Sequence, residues 1–398
     1  MPPFIHTQVA EMWIAADGPD AKARCPMCLQ YFRVAGGAGP SLICPACGHC
    51  VDDGALQYIM RVVKDRVKAR PAPAPELVEA VPSAAPPGLD DVIGNASAVA
   101  QIRTALEAHR ARVAAGSKAA FPHILLVGVG GLGKTLLAQI IAREIKRPFR
   151  EQMGQTMNNP ARVGDVLRSL KAGDVLFIDE IHGLKPACQE ALYLAMESGV
   201  YVPMAKAGQA VGAPIRLPPF TLIGATTNEE GLKGSFLQRF KYQIELERMT
   251  AVELAAAVAG VAARKQWAVT PGAAATIAAL AHGTPRLALR ILDQAMDMAL
   301  AGQSNVIDEM VVAATCRQQN IDSLGLGRRD RRYLAVLDAA GGAAVRLNVL
   351  ASQLDVMSRR GVEITMEPTL LWMGLVEKTP AGRILTARGR EHIRKGKA

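Results

Sequence analysis

Residues 128–135 read GVGGLGKT and place four glycines, a lysine and a threonine at fixed spacing. Because glycines have no side chains, the backbone of such a loop can surround phosphate oxygens with its N–H groups. Lys134 supplies a positive charge for terminal phosphates, and the Thr135 hydroxyl is a ligand for Mg²⁺. The glycines are Gly128, Gly130, Gly131 and Gly133. HILLV before the loop predicts a strand and KTLLAQIIAREI after it predicts a helix, so a nucleoside triphosphate site is favoured over a chance glycine turn.

A second motif, DVLFIDEIH, begins at residue 174 and ends an apolar run with two acids. Such a run predicts a short strand of a parallel sheet, with its acids at the carboxyl edge. Asp179 can bind Mg²⁺ through water, and Glu180 can orient and deprotonate an attacking water. A transferase would not need the second acid. The pair therefore predicts ATP hydrolysis.

A third strand is predicted in PFTLIGATTN (219–228), which also ends in polar side chains. Its position in the sheet is expected to lie between the two motifs above. Thr227 is the predicted contact to the γ-phosphate or the water, with Asn228 as second choice. Capping of the following turn by the hydroxyl is the alternative interpretation.

The remaining chain supplies the elements that must position these residues. The 398 residues are 50% apolar and 4% aromatic, which predicts two or three helix-rich domains. Strands alternating with helices favour an α/β fold, a helical signal follows from 250 to 320, and LVEKTPAGRILT (375–386) predicts a hairpin. No stretch has the pattern of a transmembrane span or a signal peptide. We therefore expect a cytoplasmic protein without membrane contact.

Charge is concentrated near the C-terminus. Residues 324–398 contain 14 basic and 7 acidic side chains, so most of the net charge of +10 lies there. A local basic excess suggests contact with a polyanion such as DNA, although a solvated surface is an equal alternative on charge alone.

Four cysteines form CPMC and CPAC motifs separated by 15 residues, with the C-x₂-C spacing of a zinc site. The predicted ligands of a Zn²⁺ ribbon are Cys25, Cys28, Cys44 and Cys47, with His49 and Cys50 to spare. The metal would fold a segment too short to build a core. What the ribbon binds, DNA or a protein, is left open. The proline-rich segment 71–88 predicts a semi-rigid linker after it.

Seven segments resemble the RuvB family, the AAA+ motors of Holliday-junction branch migration. They are LDDVIGN, GLGKT, DVLFIDEIHGL, EALYLAMESG, PPFTLIGATT, GTPRLALRIL and EKTPAGRILT. The resemblance runs from residue 89 to the C-terminus. It implies an α/β P-loop AAA+ core (89–249), a helical lid (250–323) and a C-terminal winged helix (324–398). The zinc ribbon (1–70) and linker (71–88) lie outside the family pattern.

The resemblance also implies roles for single residues. Arg239 falls where the family has an arginine finger that reaches the neighbouring subunit's γ-phosphate, which implies a hexameric ring. Arg286 matches the second sensor of the lid. Lys378 and Arg383, on either side of the turn TPAG, match positions that contact the DNA backbone. Ile93 and Leu136 match positions of the ATP site.

Departures from the family pattern accompany these matches. Val129 and Gly130 replace two prolines of the loop, and Leu136 replaces a second threonine. Met249 stands near a tyrosine that helps to hold the nucleotide. The hairpin at 197–218, where the family meets its partner protein RuvA, is slightly shorter and has a different tip. A protein partner at this hairpin or at the zinc ribbon is therefore left open.

These observations favour an ATP-driven motor that moves duplex or branched DNA as a ring. The alternative is an ATP-switched adaptor that loads or regulates another DNA-processing enzyme. A protein unfoldase is disfavoured, because the core shows no clear pore loop with an aromatic residue. ATPase activity that DNA stimulates and directional movement would distinguish the motor from the adaptor.

Overall fold

The computed structural model describes residues 22–24, 31–33, 42–43, 50–51, 87–203, 212–354 and 359–397. The chain divides into two compact units, residues 1–82 and 83–398. In the first unit, β1 (Lys22–Arg24) pairs antiparallel with β2 (Tyr31–Arg33), and β3 (Leu42–Ile43) with β4 (Cys50–Val51). Most of the linker and the four predicted zinc ligands, Cys25, Cys28, Cys44 and Cys47, lie outside the described residues.

A five-stranded parallel sheet in the order β11–β5–β10–β7–β6 organises the second unit. Its strands are β5 (Ile124–Val127), β6 (Phe149–Met153), β7 (Val175–Asp179), β10 (Thr221–Thr226) and β11 (Tyr242–Glu245). The helices around it are α1 (Ala96–Ala114), α2 (Lys134–Glu144), α3 (Pro160–Ser169), α4 (Pro186–Ser198) and α5 (Gly234–Leu237). A small antiparallel pair, β8 (Val200–Tyr201) and β9 (Ile215–Arg216), follows α4. The predicted α/β core and its three motif strands are confirmed.

The sheet is buried on both faces, as parallel sheets require. Successive residues of a strand point to opposite faces. Accordingly, Leu126 and Ile223 belong to one apolar cluster, whereas Leu125 and Leu222 belong to the other. Every residue of β10 is buried. The central strand therefore holds its two neighbours and the loops that follow them in fixed positions.

The lid is built from four helices that share one apolar cluster. They are α6 (Ala251–Arg264), α7 (Pro271–Leu280), α8 (Pro285–Ala301) and α9 (Glu309–Gln318). Two short strands, β12 (Ala268–Val269) and β13 (Val306–Ile307), pair in parallel between them. The prediction of helix throughout 250–320 was wrong for these two strands, because two residues are too few to show a period.

The C-terminal domain has its own apolar cluster. Its helices are α10 (Arg328–Ala339), α11 (Leu347–Gln353), α12 (Arg359–Thr365), α13 (Glu367–Trp372) and α14 (Ala387–Lys397). The predicted hairpin is present as β14 (Val376–Thr379) and β15 (Gly382–Leu385), joined by a turn at Pro380 and Ala381. The expected C-terminal winged-helix fold is confirmed. No helix among the described residues is long and apolar enough to cross a membrane.

A buried carboxylate lies at the centre of this winged helix. Glu367 is fully buried, and its oxygens accept hydrogen bonds from Arg383 at 2.8 and 3.1 Å and from the Tyr333 hydroxyl at 3.1 Å. The Lys378 ammonium lies 3.1 Å from the same carboxylate. Burial alone would raise the pKa of Glu367, but hydrogen bonds from Arg383 and Lys378 hold it below its ordinary value. The carboxylate therefore stays ionised inside the domain.

Breaking this cluster should destabilise the winged helix. Arg383→Ala leaves a buried carboxylate with only Lys378 and Tyr333 as partners, so we expect a loss of about 3 kcal/mol in that domain. Hydrogen exchange of the amides of β14 and β15 measures the loss. Lys395→Ala, which breaks an exposed pair with Glu391 on α14 of the same domain, is the control and should change little. Equal protection in both variants would contradict this role of Arg383.

Candidate active site

The loop between β5 and α2 has the backbone that its glycines predict. Gly131 has φ = 86°, a conformation that side chains with a Cβ rarely adopt. A Cβ at this position would also lie 2.9 Å from the side chains of Thr284 and Arg286. Gly131 therefore allows the lid to approach the loop directly.

Lys134 is the first residue of α2, and its side chain turns back over the loop. Its ammonium donates hydrogen bonds to the carbonyls of Gly128 at 2.6 Å and Val129 at 3.1 Å. Burial lowers the pKa of Lys134, while the nearby carboxylates of Glu180 and Asp179 oppose this shift. The predicted cation and the two predicted acids thus face the same space. Thr135 follows as the second residue of α2.

The acids lie at the carboxyl end of β7, as predicted. The Glu180 N–H donates to Asp179 Oδ1 at 2.9 Å, which fixes the Asp179 carboxylate. Glu180 itself has φ = 48°, an uncommon backbone conformation for a residue with a Cβ. Gly154, after β6, lies so close to its carbonyl that a Cβ there would be 2.3 Å from the oxygen. The backbone of Glu180 is therefore tightly constrained.

Two side chains hold the Glu180 carboxylate. The Thr227 hydroxyl donates to Glu180 Oε2 at 3.3 Å, and His182 Nδ1 lies 3.2 Å from the same oxygen. His182 Nδ1 is also 3.1 Å from the Thr226 hydroxyl, which donates to the Asn228 carbonyl. Thr227 therefore lies beside the catalytic candidate, as the predicted sheet order requires.

Sequence reasoning assigned no role to His182. Its position two residues after Glu180 in DEIH was the available signal, but spacing alone does not reveal a contact with β10.

An apolar cavity adjoins the loop on the side of the lid. Ile93 and Leu136, both expected at the nucleotide site, lie on its wall together with Met249. Leu132, Gly133 and Pro285 connect the cavity to the phosphate loop and to α8. An apolar slot of this kind suits the flat face of a nucleobase. Met249 thus offers an apolar side chain near the position where the family pattern has a tyrosine.

Arg286 lies beside the phosphate loop. Its N–H donates to the Gly131 carbonyl at 3.2 Å, and its side chain lies against Gly131. It is among the charges that influence the pKa of Lys134. The structure therefore brings the second-sensor candidate to the predicted site.

Arg239 lies away from this cluster and is bound by α4. Its guanidinium lies 4.8 Å from the centre of the Tyr193 ring and donates to the Tyr193 hydroxyl at 3.1 Å. It also forms an ion pair with Glu197. Among the described residues its buried Nε has no hydrogen-bond partner. The sequence did not indicate that Tyr193 and Glu197 bind Arg239, the candidate arginine finger.

The two DNA-contact candidates differ in accessibility. The Arg383 side chain is 14% exposed and is bound by Glu363 and Glu367. The Lys378 side chain is 47% exposed, although it also pairs with Glu367. Lys378 is therefore the accessible member of the pair, and Arg383 is mainly a partner of the buried carboxylate.

The site offers oxygen ligands suited to magnesium. Thr135 supplies a hydroxyl and Asp179 a carboxylate, the hard donors that Mg²⁺ prefers. The carboxylates of Asp179 and Glu180 are close enough to Lys134 to influence its pKa. Among the described residues, no group of three or more His, Cys, Asp or Glu side chains could enclose a metal ion on its own. Mg²⁺ is commonly bound by one or two carboxylates together with the phosphates of a nucleotide.

Comparison with known proteins covers the second unit of the chain. Residues 84–246 match the Holliday junction DNA helicase RuvB P-loop domain, residues 249–322 the RuvB AAA lid domain, and residues 323–394 the RuvB C-terminal winged helix domain. A Holliday junction branch migration complex subunit RuvB from Paramagnetospirillum magneticum is 38% identical over 310 residues, covering 77% of this chain and 88% of that protein.

Solved structures give the same result. The Thermotoga maritima RuvB Holliday junction branch migration motor has a TM-score of 0.68 at 35% identity, covering 78% of this chain and 98% of that one. A proline-to-glycine variant of Thermotoga maritima RuvB has a TM-score of 0.68 at 34% identity, covering 77% and 97%. With its parallel P-loop core, lid and winged helix, the chain belongs to the RuvB family of AAA+ ATPases.

Proposed function

We propose that this chain is an ATP-driven motor that moves duplex or branched DNA as a ring, with six subunits as the expected number. The observation that carries the proposal is the convergence of Lys134, Asp179, Glu180 and Thr227 at one edge of the sheet. Arg286 reaches this edge from the lid. The chain continues from there into a winged helix, so a nucleotide site and a DNA-binding fold are directly linked.

Each residue at the edge has a task in hydrolysis. Lys134 and the loop N–H groups bind the phosphates. Thr135 and Asp179 would hold Mg²⁺, which supplies charge neutralisation at the phosphate oxygens. Glu180 orients the attacking water and accepts its proton, and Thr227 holds the Glu180 carboxylate in position. Ile93, Leu136 and Met249 pack against the base.

Arg239 would complete the site from the neighbouring subunit. Its hydrogen bond and ion pair with Tyr193 and Glu197 hold it on α4 of its own subunit. Its unpaired Nε makes this arrangement costly, because a buried donor without an acceptor is unfavourable. Phosphate oxygens across a ring interface would satisfy all its donors. Hydrolysis would then depend on assembly.

The DNA contact is proposed for the winged helix. Lys378 on β14 is accessible and lies next to the turn of the hairpin. Contacts of this kind to phosphates give affinity without sequence preference. The short pair β8–β9 follows α4, where the family meets RuvA, and we propose this hairpin as the site of a protein partner.

A zinc ribbon remains a proposal for the first unit. The CPMC motif falls in the connection between β1 and β2, and CPAC in the connection between β3 and β4. Two hairpins whose connections each carry a cysteine pair are the arrangement in which four thiolates bind one Zn²⁺. The ion would stabilise the segment and take no part in hydrolysis.

The function is tested by branch migration of synthetic four-way DNA junctions with ATP. Wild-type protein should hydrolyse ATP faster with DNA and move the junction. Glu180→Gln should bind ATP but lose turnover by about 10²–10⁴-fold and leave junctions in place, because it removes the base and keeps the shape. Glu229→Gln, which changes an exposed carboxylate in the same way, is the control and should behave as wild type. Nucleotide-dependent assembly without junction movement by the wild type would instead support the adaptor.

A shared active site predicts complementation between two inactive variants. Arg239→Ala should lower turnover by about 10³–10⁵-fold while ATP still binds. The Lys134→Ala variant should lose ATP binding but retain Arg239. Mixed rings should regain part of the ATPase activity, at interfaces where an intact loop meets an intact finger. Arg162→Ala, on the exposed side of α3, controls for loss of positive charge. Mixed rings that are demonstrably formed and remain inactive would contradict action in trans.

Metal analysis tests the ribbon. We expect about one Zn²⁺ per chain by atomic emission spectroscopy, lost when Cys25→Ser and Cys44→Ser are combined. Basal ATPase activity should persist in the double variant. Cys316→Ser changes a thiol whose pKa is raised by burial in the lid, and it should retain the metal. Metal content that is zero in the wild type, or unchanged in the double variant, would rule out the ribbon.

A further inference from the structure

An exposed aromatic side chain of the winged helix lies against a cation from the ATPase core. Trp372, at the end of α13, is 55% exposed. The Arg248 guanidinium lies 4.7 Å from the centre of its ring, within the range of a cation–π contact. Arg248 lies in the short segment between β11, the last strand of the core, and α6, the first helix of the lid. The Arg248 side chain therefore lies where the core, the lid and the winged helix meet.

The same guanidinium is fixed on its other side by the turn before α8. Arg248 Nη1 donates to the His282 carbonyl at 2.7 Å and to the Thr284 hydroxyl at 3.0 Å. The next backbone N–H, that of Met249, donates to the Gly283 carbonyl at 2.9 Å. Arginine suits this position because its planar fork can bind two acceptors while its face stacks on an aromatic ring.

This turn also contacts the phosphate loop. Arg286, two residues after Thr284, donates its N–H to the Gly131 carbonyl at 3.2 Å. The Thr284 side chain itself lies against Gly131. His282 of the same turn also contacts the C-terminal part of the chain: its Nε2 lies 2.5 Å from the carbonyl of Leu324, at the start of the winged-helix domain. The turn therefore contacts both the phosphate loop and the connection to the winged-helix domain.

We propose that Arg248 is a positioning residue that couples the nucleotide site to the winged helix through Trp372. A shift of the turn when ATP occupies the loop would carry the Arg248 fork with it, since two hydrogen bonds join them. The stacked Trp372 would follow, because the cation–π contact joins its ring to the guanidinium. This inference rests on the proposed function, since it concerns how ATP binding would reorient the DNA-binding domain.

The lid contains a matched pair that lacks this connection. The Lys265 ammonium lies 4.3 Å from the centre of the Trp267 ring. Both residues belong to the lid, and Lys265 also pairs with Asp293 of α8. Lys265→Gln therefore removes a cation–π contact of similar geometry without touching the domain junction.

Tryptophan fluorescence supplies the direct test on the full-length protein. The chain has 3 tryptophans, Trp13, Trp267 and Trp372, so the difference between wild type and Trp372→Phe isolates the signal of Trp372. A non-hydrolysable ATP analogue should change that signal in the wild type and in Lys265→Gln. In Arg248→Gln the change should be lost, with analogue affinity within about twofold of wild type, because the contacts of Arg248 are to the turn before α8 and to Trp372.

ATPase assays with and without duplex DNA give the second readout. Arg248→Gln should keep basal turnover but reduce DNA stimulation by at least about fivefold, the lower range of allosteric coupling. Trp372→Leu should have the same effect, whereas Trp372→Phe, which keeps an aromatic face, should retain most of the stimulation. This rescue distinguishes positioning from a general loss of stability.

Different results would contradict the proposed motor function and the proposed role of Arg248. A wild type that shows no DNA-dependent activity contradicts the motor, while the fluorescence experiment still decides the role of Arg248. A Trp372 signal that does not respond to the analogue, or that responds equally in Arg248→Gln, overturns the coupling. Unchanged DNA stimulation in Arg248→Gln overturns it as well.

Discussion

The active site depends on one feature of the hydrogen bonding: β10 lies between β5 and β7, parallel to both. Parallel strands end at the same edge of a sheet, so this order brings the phosphate loop, the two acids and Thr227 to one place although long stretches of chain separate them. The buried central strand allows little slippage, because a shift of one residue would turn its apolar side chains to the wrong faces. The lid then needs only a close contact at Gly131 to complete the site.

The sequence was sufficient for those parts of the structure that are encoded locally. A strand, a glycine loop and a helix succeed one another within residues 123–145, and each leaves its own pattern. The predicted neighbours of Thr227 followed from the general rules of parallel sheets. The two-residue strands of the lid were missed because they are shorter than any detectable period. The hairpin of the winged helix was found because its turn residues lie between two β-rich runs.

Partners of single side chains could not be read in the same way. Arg239 and Arg383 each contact residues of another element, and His182 contacts Thr226 of β10 as well as nearby Glu180. The residues next to them in sequence do not indicate the contacts between elements. The charge count gave a basic excess for residues 324–398 without indicating which side chains are exposed, and Arg383 is paired with a carboxylate inside the domain. The family resemblance assigned Arg239 to a γ-phosphate and Arg383 to DNA. The structure shows instead which side chains of the same subunit bind them: Tyr193 and Glu197 bind Arg239, and Glu367 binds Arg383.

Gly154 illustrates a constraint that lies outside every recognised motif. It follows β6, carries no chemistry and is separated from Glu180 by the whole of α3 and β7, yet its missing side chain leaves the space that the Glu180 carbonyl fills. Even the smallest replacement, alanine, would push the backbone of the proposed base aside. For the evolution of this chain, the backbone position of the proposed base thus depends partly on a residue whose substitution would look neutral in the sequence. A substitution of Gly154 would then impair the proposed hydrolysis although every sequence motif of the family remained unchanged.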